Sequence, residues 1–289
     1  IESRIQRLSL RMRAGVDFEI TNQDDDPRFN EYWQHYHALT SRRGVTPAAA
    51  KNLMRSRPTL IASVMVARGE ADALITGLVG RFHKKLGYVR SVIPLERGVE
   101  STSAMTGVIN NQGAWFFVDT HVQDDPTAEQ IAEATLQAAY RLKLFGIEPR
   151  IALLSHANFG SHETASAVKM RHVRELLLKR KPDLNVDGEM QGDTAWDEVL
   201  RNRIMPGSTL TGRANLFVLP NLDAANITYN MVRVVTDGVA IGPILMGISK
   251  PVHILTTSAT PRRVINMTAI AAVDAQIRQQ REAERNGPG

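Results

Sequence analysis

Residues 251–266 read Pro251-Val252-His253-Ile254-Leu255-Thr256-Thr257-Ser258-Ala259-Thr260-Pro261-Arg262-Arg263-Val264-Ile265-Asn266. Val252, Ile254 and Leu255 have the β-branched and apolar character of a buried strand. Thr260 followed by Pro261 is an N-cap with proline at the first helical position, and Met267, Ile270, Ala271 and Val273 carry the helix onward. The first helical turn holds Arg262 and Arg263, although a helix N-terminus favours negative charge by roughly 0.3–1 kcal/mol per charge. Hydroxyls from Thr256, Thr257, Ser258 and Thr260 converge on the same turn. Two readings stand side by side: a cradle for a phosphate-like anion, or a pair of arginines splayed into solvent.

Working outward, the strand-turn-helix order recurs. Trp115 to Asp119 is a buried strand that leads through Asp125-Pro126-Thr127 into a helix lined by Ile131, Ala134, Ala138 and Leu142 and closed by Gly146. Ile151 to Ser155 is the next strand, and Leu216 to Pro220 another. This alternation predicts an α/β architecture with parallel pairing. Residues 1–15 predict a short amphipathic helix with Ile1, Ile5, Leu8 and Met12 on one face, and Asp17 to Ile20 alternate like a strand. Phe29, Trp33, Tyr36 and Leu39 lie at helical spacing, Thr46-Pro47 starts a further helix, and Leu60 to Val66 fits a helix or a strand equally. Ala73 to Gly80 is strand-like and runs into the basic stretch Arg81-Phe82-His83-Lys84-Lys85. Val186 to Met190 is a strand end with carboxylates, Thr194 to Val199 is helical, and Asp223 is placed to cap the helix after Asn221. Residues 275–289 read as a frayed polar tail.

Composition narrows the function. The 289 residues include no cysteine, which excludes a disulfide framework, a thiolate metal site and a cysteine nucleophile, and predicts a cytoplasmic protein. The net charge of +5 is spread along the chain, and aromatics are only 6%, so nucleic acid is not the expected partner and an anionic small ligand is. There is no apolar run long enough for a membrane span and no export leader pattern. Residue 1 is Ile, as expected either of a piece cut from a longer polypeptide or of a tagged or processed N-terminus. The triplet Asp24-Asp25-Asp26 reads as a solvated turn rather than a metal site, and no clustered ligand spacing appears elsewhere. The loop Ser155-His156-Ala157-Asn158-Phe159-Gly160-Ser161-His162 is rich in hydroxyl, amide and imidazole groups but lacks a nucleophile elbow, so it reads as ligand-lining.

Several of these segments together carry a resemblance. Leu153-Leu154-Ser155 to Gly160-Ser161, Asp187-Gly188-Glu189, Leu219-Pro220-Asn221 to Tyr229, Ile241-Gly242-Pro243-Ile244-Leu245 and Lys250-Pro251-Val252 resemble the phosphate acetyltransferase and butyryltransferase family over nearly the whole chain. His121-Val122, Asp125 to Glu133 and Leu154 to Ser161 are similar to the phosphotransacetylase-like module of bacterial NADP-dependent malic enzymes. The resemblance implies a two-lobed, isocitrate dehydrogenase-like α/β fold with an interlobe cleft. The expected lobes are 1–147 with 248–289, and 148–247, the second driving homo-oligomerisation.

The cleft would hold CoA. The family's Ser-Arg pair falls on Thr256 and Thr257, and its catalytic Asp, seven residues after that Ser, falls on Arg263. An arginine is always protonated and cannot accept a thiol proton. The family's His-Ser-Thr loop with a downstream Arg survives loosely as Arg81-Phe82-His83 and Arg90. The resemblance therefore implies a degenerate module that binds acetyl-CoA and inhibits an attached malic enzyme catalytic domain. NADP and a divalent metal would belong to that domain. The expected acetyl-CoA site is Arg81, His83, Arg90, Ser155, Asn158, Ser161, Asn226, Tyr229, Thr256, Thr257, Ser258, Arg262 and Arg263. Two alternatives are an active phosphate acetyltransferase with His83 or Asp223 as base, and a purely structural oligomerisation module.

Overall fold

A computed structural model describes residues 1–22 and 25–286. Helices α1 (Glu2–Arg7), α2 (Phe29–Thr40), α3 (Pro47–Ser56) and α4 (Pro58–Ala67) lead to strand β1 (Leu74–Thr76) and helix α5 (Phe82–Val92). Strands β2 (Ser103–Asn110) and β3 (Gly113–Val118) follow, then α6 (Ala128–Leu144), β4 (Ile151–Leu154), α7 (Ala165–Arg180) and β5 (Val186–Met190). The chain closes with α8 (Gly192–Trp196), α9 (Glu198–Ile204), β6 (Leu216–Val218), α10 (Leu222–Val235), β7 (Val239–Met246), β8 (Val252–Ile254) and α11 (Pro261–Asn286).

Two sheets organise these elements. Six strands run in the order β5-β4-β6-β3-β2-β7, and β1 pairs with β8 alone. The neighbours from β5 to β3 are parallel, as the strand-helix alternation predicts, whereas β2 is antiparallel to both β3 and β7. The large sheet is therefore mixed. Strand β2 escapes the pattern because Ser103 to Val108 are all buried, so no alternation marks it. Strands from both sides of residue 147 share this sheet, since β3 runs beside β6 with Phe117 opposite Phe217.

Packing explains the other departures. Helix α2 buries Tyr32 and Tyr36 and leaves Leu39 44% exposed, so its core stripe is rotated from the predicted one. The 60–66 segment is helical: Pro58 sits in the first turn of α4, whose apolar residues are buried nearly all round. Helix α1 is shorter than predicted and buries nothing, and residues 17–20 form no strand, only an isolated bridge from Ala14 to Phe18. Asp26 is ion-paired with Arg28 at 2.8 Å, Asp25 accepts from the Asn22 side chain, and Asp24 lies outside the described residues. The 194–199 helix is split, because Asp197 accepts from the backbone N–H groups of Val199 and Leu200 and starts α9 anew. Asn221, not Asp223, caps α10 by accepting from Ala224 N at 2.9 Å. The expected frayed tail is helical as far as Asn286: Ala271, Asp274 and Ala275 are buried and tie α11 to the body. No helix among the described residues is long and apolar enough to cross a membrane.

Candidate functional site

Strands β1 and β8 run in parallel with Thr76 opposite Ile254, so they end together. Leu255 N donates to Thr76 O at 2.7 Å just beyond the last pair. Gly77 has φ 125° and lies against Leu255 so closely that a Cβ would sit 2.2 Å from the Leu255 carbonyl oxygen. Only glycine lets the chain leave β1 there. From this point one chain enters α5 and the other α11, whose start is fixed by Thr260 Oγ1 accepting from Arg263 N at 3.3 Å. Two helix N-termini thus open past the carboxyl ends of parallel strands, the usual place for a crevice that takes anions. Neither first turn holds an acid. The first carries His83, Lys84 and Lys85, the second Arg262 and Arg263.

The turn after β3 supplies the next wall. The buried Asp119 carboxylate accepts from the backbone N–H groups of His121, Val122 and Gln123 at 2.9, 3.1 and 3.1 Å, which locks the turn. Burial pushes this carboxyl up to about 6, with the backbone donors pulling against it. His121 packs on the Phe82 ring, 5.3 Å between centroids, and its Nδ1 is 2.8 Å from Thr120 Oγ1. Burial, then Arg263 and His83, push the His121 imidazole down to about 4, so it is neutral at pH 7. The Phe82 ring also meets the His83 ring edge-on, 5.8 Å between centroids.

Helix α10 closes the far side. Asn226 Nδ2 donates to Thr120 O at 3.0 Å, and Arg263 Nη2 donates to the Tyr229 hydroxyl at 3.3 Å. Burial raises the Tyr229 pKa, opposed by the nearby Arg263 and Arg233. Between these elements lies a cavity of about 170 Å³ lined by His121, Asn226, Tyr229, Asn230, Arg233, Pro243, Thr256, Ser258 and Arg263. Arg263 is 6% exposed, yet among the described residues neither it nor Arg233 is ion-paired with a carboxylate. The Arg233 Nε is buried without a hydrogen-bond partner among the described residues. A buried cation without a counterion is costly, and the arrangement is set up to accept an anion.

The structure brings Asn226, Tyr229, Thr256, Ser258 and Arg263 together in this cavity, and leaves His83 exposed on the first turn of α5, outside the lining. Arg262 lines an adjoining outer cavity. Arg81 is exposed at the N-cap of α5, and Thr257 is exposed and lines neither cavity. Arg90 lies exposed in the last turn of the 11-residue α5, at the opposite end from the opening. Ser155, Asn158 and Ser161 also fall outside the cavity and hold their own loop together. Ser155 Oγ accepts from Ala157 N at 2.9 Å, Ser161 Oγ accepts from Asn158 N at 3.1 Å, and Asn158 bonds to Gln191. Asp223 is exposed and lines neither cavity.

Sequence reading missed His121 and Arg233 as site residues, whereas Asn226 and Asn230 are expected from it as candidate ligand donors. The α10 members had a signal, because Asn226, Tyr229, Asn230 and Arg233 repeat at three- and four-residue spacing and must share a helix face. His121 had none, since its place depends on Asp119 and Phe82.

Fold and site together define an α/β protein with an arginine-lined crevice where the parallel strands β1 and β8 end. The sequence pattern of the phosphate acetyl/butaryl transferase family matches residues 1–272, and the chain belongs to that family. It is 51% identical over 277 residues to the NADP-dependent malic enzyme of Escherichia coli K12, covering 96% of this chain and 36% of that protein. It thus spans about a third of the malic enzyme's length. The phosphate acetyltransferase of Corynebacterium glutamicum is 30% identical over 275 residues, 95% of this chain and 82% of that one. A phosphotransacetylase structure from Streptococcus pyogenes superimposes with a TM-score of 0.85 at 28% identity, over 94% of this chain and 82% of the other.

Proposed function

We propose that this chain is a regulatory module of a malic enzyme, one that binds acetyl-CoA in the β1–β8 crevice without turning it over and inhibits an attached catalytic region. The observation that carries the reading is Arg263: a buried guanidinium with no carboxylate partner among the described residues sits where the resemblance puts the base that would deprotonate the thiol. An obligate cation there can hold a phosphate or a thioester oxygen but cannot take a proton. His121, pushed down to about 4, is a poor acceptor near neutrality. The cleft is expected to need no cofactor of its own. Inhibition is the expected sign because acetyl-CoA is formed from the pyruvate that a malic enzyme releases.

Self-association belongs to the same reading. Helix α10 turns Ile227, Met231, Val234 and Val235 outward at 63%, 62%, 70% and 78% exposure. Its neighbours Thr228 and Val232 line an apolar cavity of about 440 Å³ with Trp196, Leu200 and Phe217. Knob and hole on one face are self-complementary under a two-fold axis.

Calorimetric titration of the chain with acetyl-CoA, paired with an absorbance assay for thioester formation from acetyl phosphate and CoA, tests the binding and the chemistry separately. Saturable binding with no thioester formed is the expected result. Thioester formation above the uncatalysed rate would make the chain an active acetyltransferase. Absence of binding would leave only a structural role.

A further inference from the structure

Residues 1–20 stand apart from the body of the chain. None of them is buried, and Leu8, Leu10, Met12 and Val16 are 61%, 48%, 49% and 68% exposed. The segment is nevertheless ordered by its own bonds. Helix α1 stops at Ser9, whose φ is 49°, and Leu10 N donates back to Ile5 O at 3.0 Å. Beyond it, Arg13 N donates to Asp17 Oδ2 at 2.7 Å and Gly15 N to Phe18 O at 2.8 Å. Among the described residues, 1–20 hydrogen-bond only to one another, and Arg4, Arg7, Arg11 and Arg13 form no ion pair.

Composition says what kind of surface this is. Residues 3–16 hold four arginines and a methionine but no lysine and no carboxylate. The cores of protein interfaces are enriched in Arg and Met and depleted in Lys, Asp and Glu. Leu8, Leu10 and Met12 alternate with Ser9, Arg11 and Arg13, so an extended backbone puts apolar groups on one side and guanidiniums on the other. A lipid interface would favour Trp or Phe anchors, and none precedes Phe18. An occupant lies in the same polypeptide instead. The region aligned with this chain is 36% of each malic enzyme relative, so most of such a polypeptide lies outside it. Domains of one chain meet through modest surfaces, and a segment already held in shape loses little entropy on docking.

We propose that residues 7–16 dock on the catalytic region of a malic enzyme polypeptide, with Leu8, Leu10, Met12 and Val16 in an apolar groove and Arg7, Arg11 and Arg13 against carboxylates on its rim. This rests on the reading that the chain is a module of a malic enzyme, and not on where acetyl-CoA binds.

Trypsin cuts after arginine, so the bonds following Arg7, Arg11 and Arg13 report on the contact. In the 289-residue chain they are expected to be among the first cut. In the malic enzyme polypeptide that carries the chain, the same bonds are expected to be cut at least tenfold more slowly. Leu10→Ser combined with Met12→Ser, at exposed positions where folding is not at risk, should remove that protection and leave the melting temperature of the 289-residue chain unchanged. Equal cutting in chain and polypeptide, or protection that survives the double variant, overturns the proposal. Protection of the chain alone that grows with its concentration makes a second copy the occupant, and protection that appears only with phosphatidylglycerol vesicles makes it a lipid surface; either overturns the proposal. Protected bonds in a polypeptide that acetyl-CoA does not inhibit keep the docking and sink the regulatory reading. Inhibition by acetyl-CoA with the bonds unprotected does the reverse.

Discussion

Arg263, on the first turn of α11, donates to the Tyr229 hydroxyl of α10 at 3.3 Å across the cavity floor. That contact joins the element following the small sheet to the helix that lines the cavity, and among the described residues it is the one hydrogen bond the guanidinium makes to protein.

Arg263→Glu reverses this. A carboxylate at the same place repels the ligand's oxygens and leaves Tyr229 without its donor. Acetyl-CoA affinity is expected to fall by more than tenfold in calorimetry, since a charge-assisted hydrogen bond contributes about 1.5–3 kcal/mol. Unchanged affinity would show that the ligand binds elsewhere.

His121 makes stability depend on pH. Its folded pKa is depressed from 6.5 to about 4, so its contribution is fully present above pH 6.5 and is lost as pH falls toward 4. Asp119, raised from 3.8 to about 6, works in the opposite sense: its contribution is present below pH 3.8 and is lost as pH rises through 6. Urea denaturation at pH 7 and pH 5 should therefore show His121→Gln losing less stability on acidification than the parent, and Asp119→Asn losing more. NMR titration of His121 with and without orthophosphate adds a direct reading, because a bound anion should move its pKa upward.

Arg141 and Asp274 form a buried ion pair between α6 and α11, with His253 Nε2 3.5 Å from the other Asp274 oxygen. Burial raises the Asp274 pKa, but His253 and Arg141 outweigh it and hold the carboxyl below its ordinary value. Arg141→Met strands that charge and should cost about 3–5 kcal/mol in chemical denaturation. The double variant Arg141→Met with Asp274→Leu should recover most of the loss. If the single variant is neutral, the pair is not what anchors α11.

Gly77→Ala should lower the melting temperature sharply, with a loss of about 2–4 kcal/mol, because its Cβ would meet the Leu255 backbone and its φ of 125° is closed to alanine. Gly87→Ala is the matched contrast: it lies within α5 with nothing within 4 Å of an added Cβ, and should stabilise by about 0.5–1 kcal/mol. Thermal unfolding of the two variants side by side checks both signs.

Local chemistry made much of the fold legible. The Thr127 capping box, with Gln130 answering, starts α6 where the sequence places it, and Thr260-Pro261 starts α11. Uniformly buried strands such as β2 carry no periodic signal, and the tail after residue 275 reads as frayed because polar contacts hold it, Arg278 donating to Ser249 O at 2.7 Å and to Ile248 O at 2.9 Å. About half of the expected site residues fall in or beside the two cavities. Ser155, Asn158 and Ser161 do not, because a hydroxyl-rich loop satisfies itself as readily as it satisfies a ligand.

By itself the sequence determined that the strand, turn and helix of residues 251–266 exist, that Arg262 and Arg263 lie in a first helical turn, and that no base stands at position 263. Caps, prolines and apolar spacing are local, so they can be read locally. Only the tertiary structure decided which of the two arginines is buried, and that Arg233 and His121 join it. Those residues come from three separate elements, and their meeting depends on the common end of β1 and β8, the Asp119-locked turn and the face that α10 turns inward.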